Sequence, residues 1–400
     1  MNPDLHLLHP YPFEKLKRLH SGIIPPHSLK AINLSLGEPQ HPAPYFIIEA
    51  MQANLASGLG KYPTTQGGYP LRHSIAHWLE WRFQLFPGSI NPDQHVLPVN
   101  GTREALFALA QSVIKRQIPQ PFVVMPNPFY QIYEGATLLA GASPWFVNSF
   151  AETNFLPNFE EVPKNVWERC QLLYFCSPNN PSGTVMDKAT LEKLIALADE
   201  YQFILAADEC YAELYEDEAH PPVGLLQVCM ALGRTDFKRC IVFHSLSKRS
   251  NVPGLRSGFV AGDAEIIQQF LRYRTYHGCA MSLAAQAASA VAWQDETHVQ
   301  LNRQHYRQKY DAVLDILAPV MDVTRPPASF YLWPKTPLAD EEFAQKLFAQ
   351  QHVIVLPGRF LSRPTQGGDP GEHRIRIALV ASLEACIEAA QRIRIFVESL

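Results

Sequence analysis

The chain has 400 residues, 47% of them apolar, enough to bury a large core in one or two domains. Its 34 basic and 38 acidic residues leave a formal net charge of −4, which gives no reason to expect nucleic acid or a membrane surface as a partner. Seven scattered cysteines without a C-x-x-C pair, no apolar run of membrane-spanning length and no signal-peptide pattern exclude disulfide, zinc and membrane classes and point to a cytoplasmic protein.

Residues 1–45 are rich in proline and read as an arm lying across another surface; within them 32–36 read as a short strand that ends at Gly37-Glu38-Pro39. Residues 61–68, K-Y-P-T-T-Q-G-G, form turns that lead into a helical pattern through Leu71, Ile75 and Leu79. The apolar run 96–99 stops at Asn100-Gly101-Thr102-Arg103, after which Ala105, Leu106, Leu109 and Val113 follow helical spacing. A helix that opens on glycine and threonine offers backbone N–H groups and a hydroxyl to an anion, so Gly101, Thr102 and Arg103 are candidates for a phosphate cradle. Taken alone, the same start is also an ordinary N-cap. A strand at 122–125 precedes P-N-P-F-Y-Q-I-Y-E-G-A, which contains Tyr130, and a strand at 172–176 ends at S-P-N-N-P-S-G, which contains Asn180. Asp187 then caps a helix with Leu191, Leu194, Ile195 and Ala198 on one face.

The strand at 203–207 runs into Asp208-Glu209-Cys210-Tyr211. A carboxylate at the end of a buried strand is costly unless a cation faces it, so Asp208 calls for a cationic ligand. The run 241–243 stops at His244, and Ser245, Ser247, Lys248, a Pro253-Gly254 turn and Arg256 come before a second run at 259–261. A lysine held beside buried strands has a lowered pKa and reaches the neutral, nucleophilic form that Schiff-base chemistry requires. Two serines and an arginine on the same loop supply the donors a phosphate wants. Strand, candidate residue and helix recur in this order four times, as a parallel, doubly wound sheet provides. The last hundred residues change pattern. Helices at 296–317, 341–350 and 382–397 alternate with strands at 330–333, 353–356 and 374–379, which predicts a smaller α+β domain. The expected division is an arm and part of the small domain at 1–45, a large domain at 46–290 and the small domain at 291–400.

Ser245-x-Ser247-Lys248 followed by Pro253-Gly254-Leu255-Arg256-x-Gly258 resembles the pyridoxal-phosphate lysine signature of the class I/II aminotransferases of fold type I. The resemblance implies an α/β fold with a mainly parallel doubly wound sheet, pyridoxal 5′-phosphate as cofactor, no metal, and a homodimer with shared active sites. It gives Lys248 the anchoring and proton-moving role, Asp208 the pyridine nitrogen, Tyr211 and Asn180 the 3′-oxygen, and Tyr130 the ring face. Gly101, Thr102, Arg103, Ser245, Ser247 and Arg256 would hold the phosphate, with Tyr62 reaching across to the neighbouring subunit's phosphate. Gly37, Asn180 and Arg376 would meet the substrate; Arg374, two residues from Arg376, should point the same way if both lie on one strand. Ser182 stands where the common family form has threonine.

Beyond the cofactor motifs, H-P-Y-P-F-E-K-L, L-S-L-G-E-P, Y-P-T-T-Q-G and Y-R-T-Y-H-G-C-A-M are similar to the proteobacterial N-succinyldiaminopimelate aminotransferases of lysine biosynthesis. That implies ping-pong transfer of an amino group between glutamate/2-oxoglutarate and N-succinyl-2-amino-6-oxopimelate. A substrate with three carboxylates needs cations beyond Arg376, and Arg249, Arg274 and His277 are available. Another class I aminotransferase (aspartate, aromatic or acetylornithine type) or a C–S β-lyase would keep nearly all these residues. The effector-binding domain of a regulator shares the fold, but it usually follows a helix-turn-helix, and here only a short arm precedes Gly37.

Overall fold

Every residue of Cys170–Cys176 is buried, with Leu172 and Tyr174 in one apolar cluster and Leu173 and Phe175 in another. Such a strand is covered on both faces, which is why it reads as a continuous apolar run rather than an alternating one. The computed structural model describes residues 1–400. Twelve strands follow in chain order: β1 Ile32–Asn33, β2 Val96–Val99, β3 Phe122–Asn127, β4 Ser143–Asn148, β5 Cys170–Cys176, β6 Ile204–Asp208, β7 Cys240–Ser245, β8 Gly258–Gly262, β9 Tyr331–Leu332, β10 Val353–Ile354, β11 Leu356–Pro357 and β12 Ile375–Ala378. Seven form one sheet in the order β2-β8-β7-β6-β5-β3-β4, mainly parallel, with β8 antiparallel to both neighbours. The α/β class expected from the sequence is the one observed.

Helices cover both faces. Tyr69–Arg82, Lys188–Tyr201 and Leu283–Gln294 close over Leu173, Leu205, Val242 and Phe259; Thr102–Val113, Gln131–Leu139 and Ala264–His277 close over Met125, Tyr174, Ile241 and Val260. Asp187 caps Lys188–Tyr201 by accepting from Thr190 N at 2.8 Å, as its place in the sequence predicts. A separate apolar cluster joins Ile32 and Leu34 to Val313, Phe343, Ile377 and Phe396. There β1 pairs in parallel with β10, and β11, β12 and β9 form an antiparallel sheet. The first residues of the chain thus complete a layer otherwise built from the last hundred.

Several local expectations are corrected. The arm contains a helix, Pro12–Leu19, and Ser143–Asn148 is a sheet-edge strand that the sequence reading did not mark. The stretch 353–356 is two strands in two different sheets, β10 and β11. Strand β7 continues through His244 to Ser245, because pairing with β8 carries it on to Ser245↔Gly258. The following segment is a helical turn, Leu246–Arg249, and a 3-10 turn, Pro253–Leu255, rather than an open loop.

Candidate active site

The candidate residues come together because five strands of the sheet end on one side and the chain turns there after each. A cavity of about 450 Å³ at that edge is lined by Thr102 and Arg103 after β2, Tyr130 after β3, Asn180 after β5, Asp208 and Tyr211 at the end of β6, and Ser245, Ser247, Lys248 and Arg256 after β7. Gly37 and Arg376 line it from the other layer.

Asp208 is the buried acid of the site. Its carboxylate accepts the Tyr133 hydroxyl at 2.6 Å and the Cys210 N–H at 3.3 Å. Burial pushes its pKa up, and the two hydrogen bonds only partly offset that. Tyr133, three residues after Tyr130 in the same motif and on the helix Gln131–Leu139, was not singled out from sequence. Tyr130 is the extended N-cap residue at the rim of the cavity, whereas Tyr133 lies within the helix and is buried.

Lys248 lies across the cavity on the turn Leu246–Arg249, which Ser245 caps by accepting from Ser247 N at 3.1 Å. Burial lowers the pKa of its ammonium, and Arg256 and Arg103 act in the same direction. The amine makes no hydrogen bond or ion pair.

The anion cradle is partly engaged with protein groups. Arg256 donates to both carboxylate oxygens of Glu104, at 3.0 and 2.8 Å. Arg103 donates to the hydroxyls of Tyr130 at 2.8 Å and Tyr11 at 3.2 Å and makes no ion pair. The Thr102 hydroxyl accepts from Cys210 Sγ at 3.1 Å. Gly101 sits at φ +91°, a backbone conformation that favours glycine, and a Cβ there would displace the Arg256 guanidinium, 2.1 Å away.

Arg376 is buried and donates to Asn180 Oδ1 at 2.9 Å and to the Ser35 carbonyl at 2.6 Å, with its guanidinium 4.6 Å from the Tyr331 ring centre and its Nε without a partner. Arg374 does not accompany it. Arg374 bridges Lys335 beside the start of β12, and its side chain donates to the Trp333 carbonyl and lies over Phe155, outside the cavity. Tyr211 pairs its hydroxyl with Tyr331 Oη at 2.9 Å. Tyr62 is fully exposed and outside the cavity. Of the cations considered for a distal carboxylate, Arg249 is buried between Trp78 and Trp293 and paired with Glu296, and Arg274 is buried and donates to the Cys279 carbonyl. Neither they nor the exposed His277 line the cavity; Tyr11, Glu38, Glu104 and Gln131 do.

Residues 30–393 match the family described as aminotransferase class I and II. An LL-diaminopimelate aminotransferase from Aquifex aeolicus is 30% identical over 395 residues, 98% of this chain and 97% of that protein. Among solved structures, an aminotransferase from Neisseria meningitidis is 48% identical with a TM-score of 0.95, covering 99% of this chain and 100% of that one. A probable N-succinyldiaminopimelate aminotransferase from Thermus thermophilus is 25% identical with a TM-score of 0.83, covering 97% and 98%.

Proposed function

The chain belongs to the class I and II aminotransferases, a family dependent on pyridoxal 5′-phosphate, and from that premise we propose that it moves an amino group between glutamate and a diaminopimelate-type oxo acid, with Lys248 and Asp208 as its principal groups. The observation that carries this reading is the pair of groups facing one cavity: a buried carboxylate held by hydrogen bonds but paired with no cation, and a lysine amine with no partner. A pyridinium nitrogen answers the first and an aldehyde carbon the second. The residues present therefore fit the cofactor.

When bound, pyridoxal phosphate supplies that aldehyde carbon for the substrate amine and a ring that withdraws electrons from it. Asp208, held by Tyr133, would face the ring nitrogen and keep a proton on it. Lys248 would hold the cofactor covalently and, when its amine is free, would take the proton from the substrate Cα and deliver it to the cofactor's C4′. Burial lowers the pKa of that amine, which favours its neutral, nucleophilic form. The N–H groups at the start of Thr102–Val113, with Ser245, Ser247, Arg103 and Arg256, receive the phosphate. Arg256 must then exchange Glu104 for it. Arg376 binds the α-carboxylate bidentately beside Asn180 and the backbone at Gly37, Tyr211 contributes its hydroxyl at the ring 3′-oxygen, and Tyr130 packs against the ring.

Residues 46–290 are proposed to act as a large domain and 1–45 with 291–400 as a small one, the cleft between them being the site. A homodimer sharing its sites is also proposed. The helix Tyr45–Leu59 leaves Tyr45, Ile48, Met51, Leu55 and Leu59 exposed at three- and four-residue spacing, in line with Tyr62. An apolar stripe of this kind suits a second copy, which would carry Tyr62 to the partner's phosphate.

The distal end of the substrate has two readings. The whole-length motifs favour N-succinyl-L,L-2,6-diaminopimelate. The curated relatives are named for LL-diaminopimelate, and the cavity also presents Glu38 with no partner, which suits a distal ammonium. The test is a half-reaction screen: cofactor-loaded protein is mixed with glutamate, LL-diaminopimelate or its N-succinyl derivative, and the visible spectrum and products are followed. Stoichiometric 2-oxoglutarate from glutamate, without ammonia or pyruvate, is expected. No 2-oxoglutarate from glutamate, with ammonia and pyruvate released when a β-thio amino acid is supplied instead, would overturn the reading in favour of a lyase.

A further inference from the structure

Behind Lys248, three side chains that no step above uses are joined end to end. The turn Leu246–Arg249 is too short for its last carbonyls to find helical partners. Asn302, buried on the helix Thr297–Leu317, supplies them: its Nδ2 donates to the carbonyl of Lys248 at 3.1 Å and to that of Arg249 at 3.4 Å. The amide is thereby oriented, and Oδ1 must accept. It receives His41 Nδ1 at 2.9 Å and Asn251 Nδ2 at 3.0 Å. His41 therefore carries its proton on Nδ1 and turns a bare Nε2 to Lys309 Nζ, 2.7 Å away.

Lys309 is 2% exposed, and His41 is its sole side-chain hydrogen-bond partner. The Tyr306 ring lies 5.1 Å from its ammonium, and the rings of Tyr306 and His305 lie against His41. Glu384 and Cys386, from the end of the chain, act on Lys309 at longer range without bonding it. Burial, then the Lys309 charge, takes the His41 pKa down to about 4, and burial lowers Lys309 to about 8. Near neutral pH the donor order thus runs one way, from the Lys309 ammonium through neutral His41 and Asn302 to the Lys248 carbonyl. His41 stands four residues after Gly37, on the segment whose Ser35 carbonyl receives Arg376. Three hydrogen bonds connect the lysine end of the cavity to its carboxylate end.

We propose that Asn302, His41 and Lys309 form a positioning relay that holds the Lys248 turn at a fixed separation from the Gly37 segment and Arg376. The role rests on the aminotransferase reading, since it presupposes that Lys248 moves the proton. Breaking one link of a directional chain should lower turnover of the glutamate half-reaction about tenfold, with KM changed less than about twofold.

The test uses full-length, cofactor-loaded wild type, Asn302→Leu, Lys309→Met, His41→Leu and His41→Gln, the last keeping one donor and one acceptor. Imidazole nitrogen shifts should show His41 protonated on Nδ1, with a midpoint that rises in Lys309→Met. The pH midpoint of the visible cofactor band should move in Asn302→Leu and His41→Leu and return towards wild type in His41→Gln, and kcat should follow the same order. His41 protonated on Nε2, or wild-type kcat and band midpoint in variants that melt like wild type, would overturn the relay. If Asn302→Leu does not fold, the two His41 variants and Lys309→Met decide alone. Borohydride reduction and peptide mass separate the two levels of the reading: wild type that takes up no cofactor on Lys248 defeats the aminotransferase assignment and this role with it, whereas a loaded wild type with indifferent relay variants defeats the relay only.

Discussion

Gly37→Ala should damage the site through Tyr331 before any substrate is present. A Cβ at position 37 would lie 1.9 Å from Tyr331 Oη and 2.9 Å from its Cζ. The hydroxyl would have to retreat by about 1.5 Å to reach ordinary contact. It cannot do so freely, because Tyr331 is buried, its hydroxyl pairs with Tyr211 at 2.9 Å and its ring lies under Arg376. Overpacking of this kind costs about 1–3 kcal/mol, and if all of it is felt in the transition state kcat/KM for glutamate falls by roughly five- to 150-fold. The assay is a double-mutant cycle on kcat/KM with Gly37→Ala, Tyr331→Phe and the pair. Removing the hydroxyl eliminates the 1.9 Å contact but leaves the ring carbon, so the double variant should recover part of the loss. Additive effects, within about 0.5 kcal/mol, would refute the reasoning and return Gly37 to a role in substrate approach alone.

Lys248→Ala should fold normally yet retain no cofactor fixable by borohydride; label found on another lysine would remove Lys248 from the role. Asp208→Asn should hold cofactor but lose most turnover, because an amide cannot keep the ring nitrogen protonated, and near-normal turnover would count against the assignment. Without cofactor the same residue gives a pH signature. Burial raises the Asp208 pKa, so its contribution to stability is full below the ordinary carboxylate range and is lost as pH rises through the raised value. The melting-temperature difference between cofactor-free wild type and Asp208→Asn should therefore shift in favour of the variant as pH rises above the ordinary carboxylate range. Mixing Lys248→Ala chains with Tyr62→Phe chains should restore activity towards one competent site per heterodimer if sites are shared; a plain average of the two parents, with heterodimers verified, would place Tyr62 in its own subunit's service.

Much of the architecture was legible because it is encoded locally. Continuous apolar runs mark strands covered on both faces, Asp187 announces a helix, and Gly101, Pro253 and Gly254 stop the chain where turns must form. Residues that follow successive parallel strands share one edge of the sheet whatever the details, so Thr102, Tyr130, Asn180, Asp208 and Lys248 could be placed together before any coordinates existed. What meets what across that edge was decided only in three dimensions. Nothing near Glu104 in the chain reveals that it holds Arg256, 152 residues away, nor does Tyr133 announce Asp208. Arg249 read as a free cation beside Lys248 but is enclosed by Trp78, Trp293 and Glu296, drawn from two stretches of chain far from it in sequence. Arg374 and Arg376 are two residues apart, yet the one is taken up by the Trp333 carbonyl and Phe155 and the other by Asn180 and the Ser35 carbonyl. The physical reason is the same in each case: periodicity and turn chemistry are properties of neighbouring residues, whereas the partner of a charge depends on strand order, register and which buried groups still lack a counterpart when the layers close.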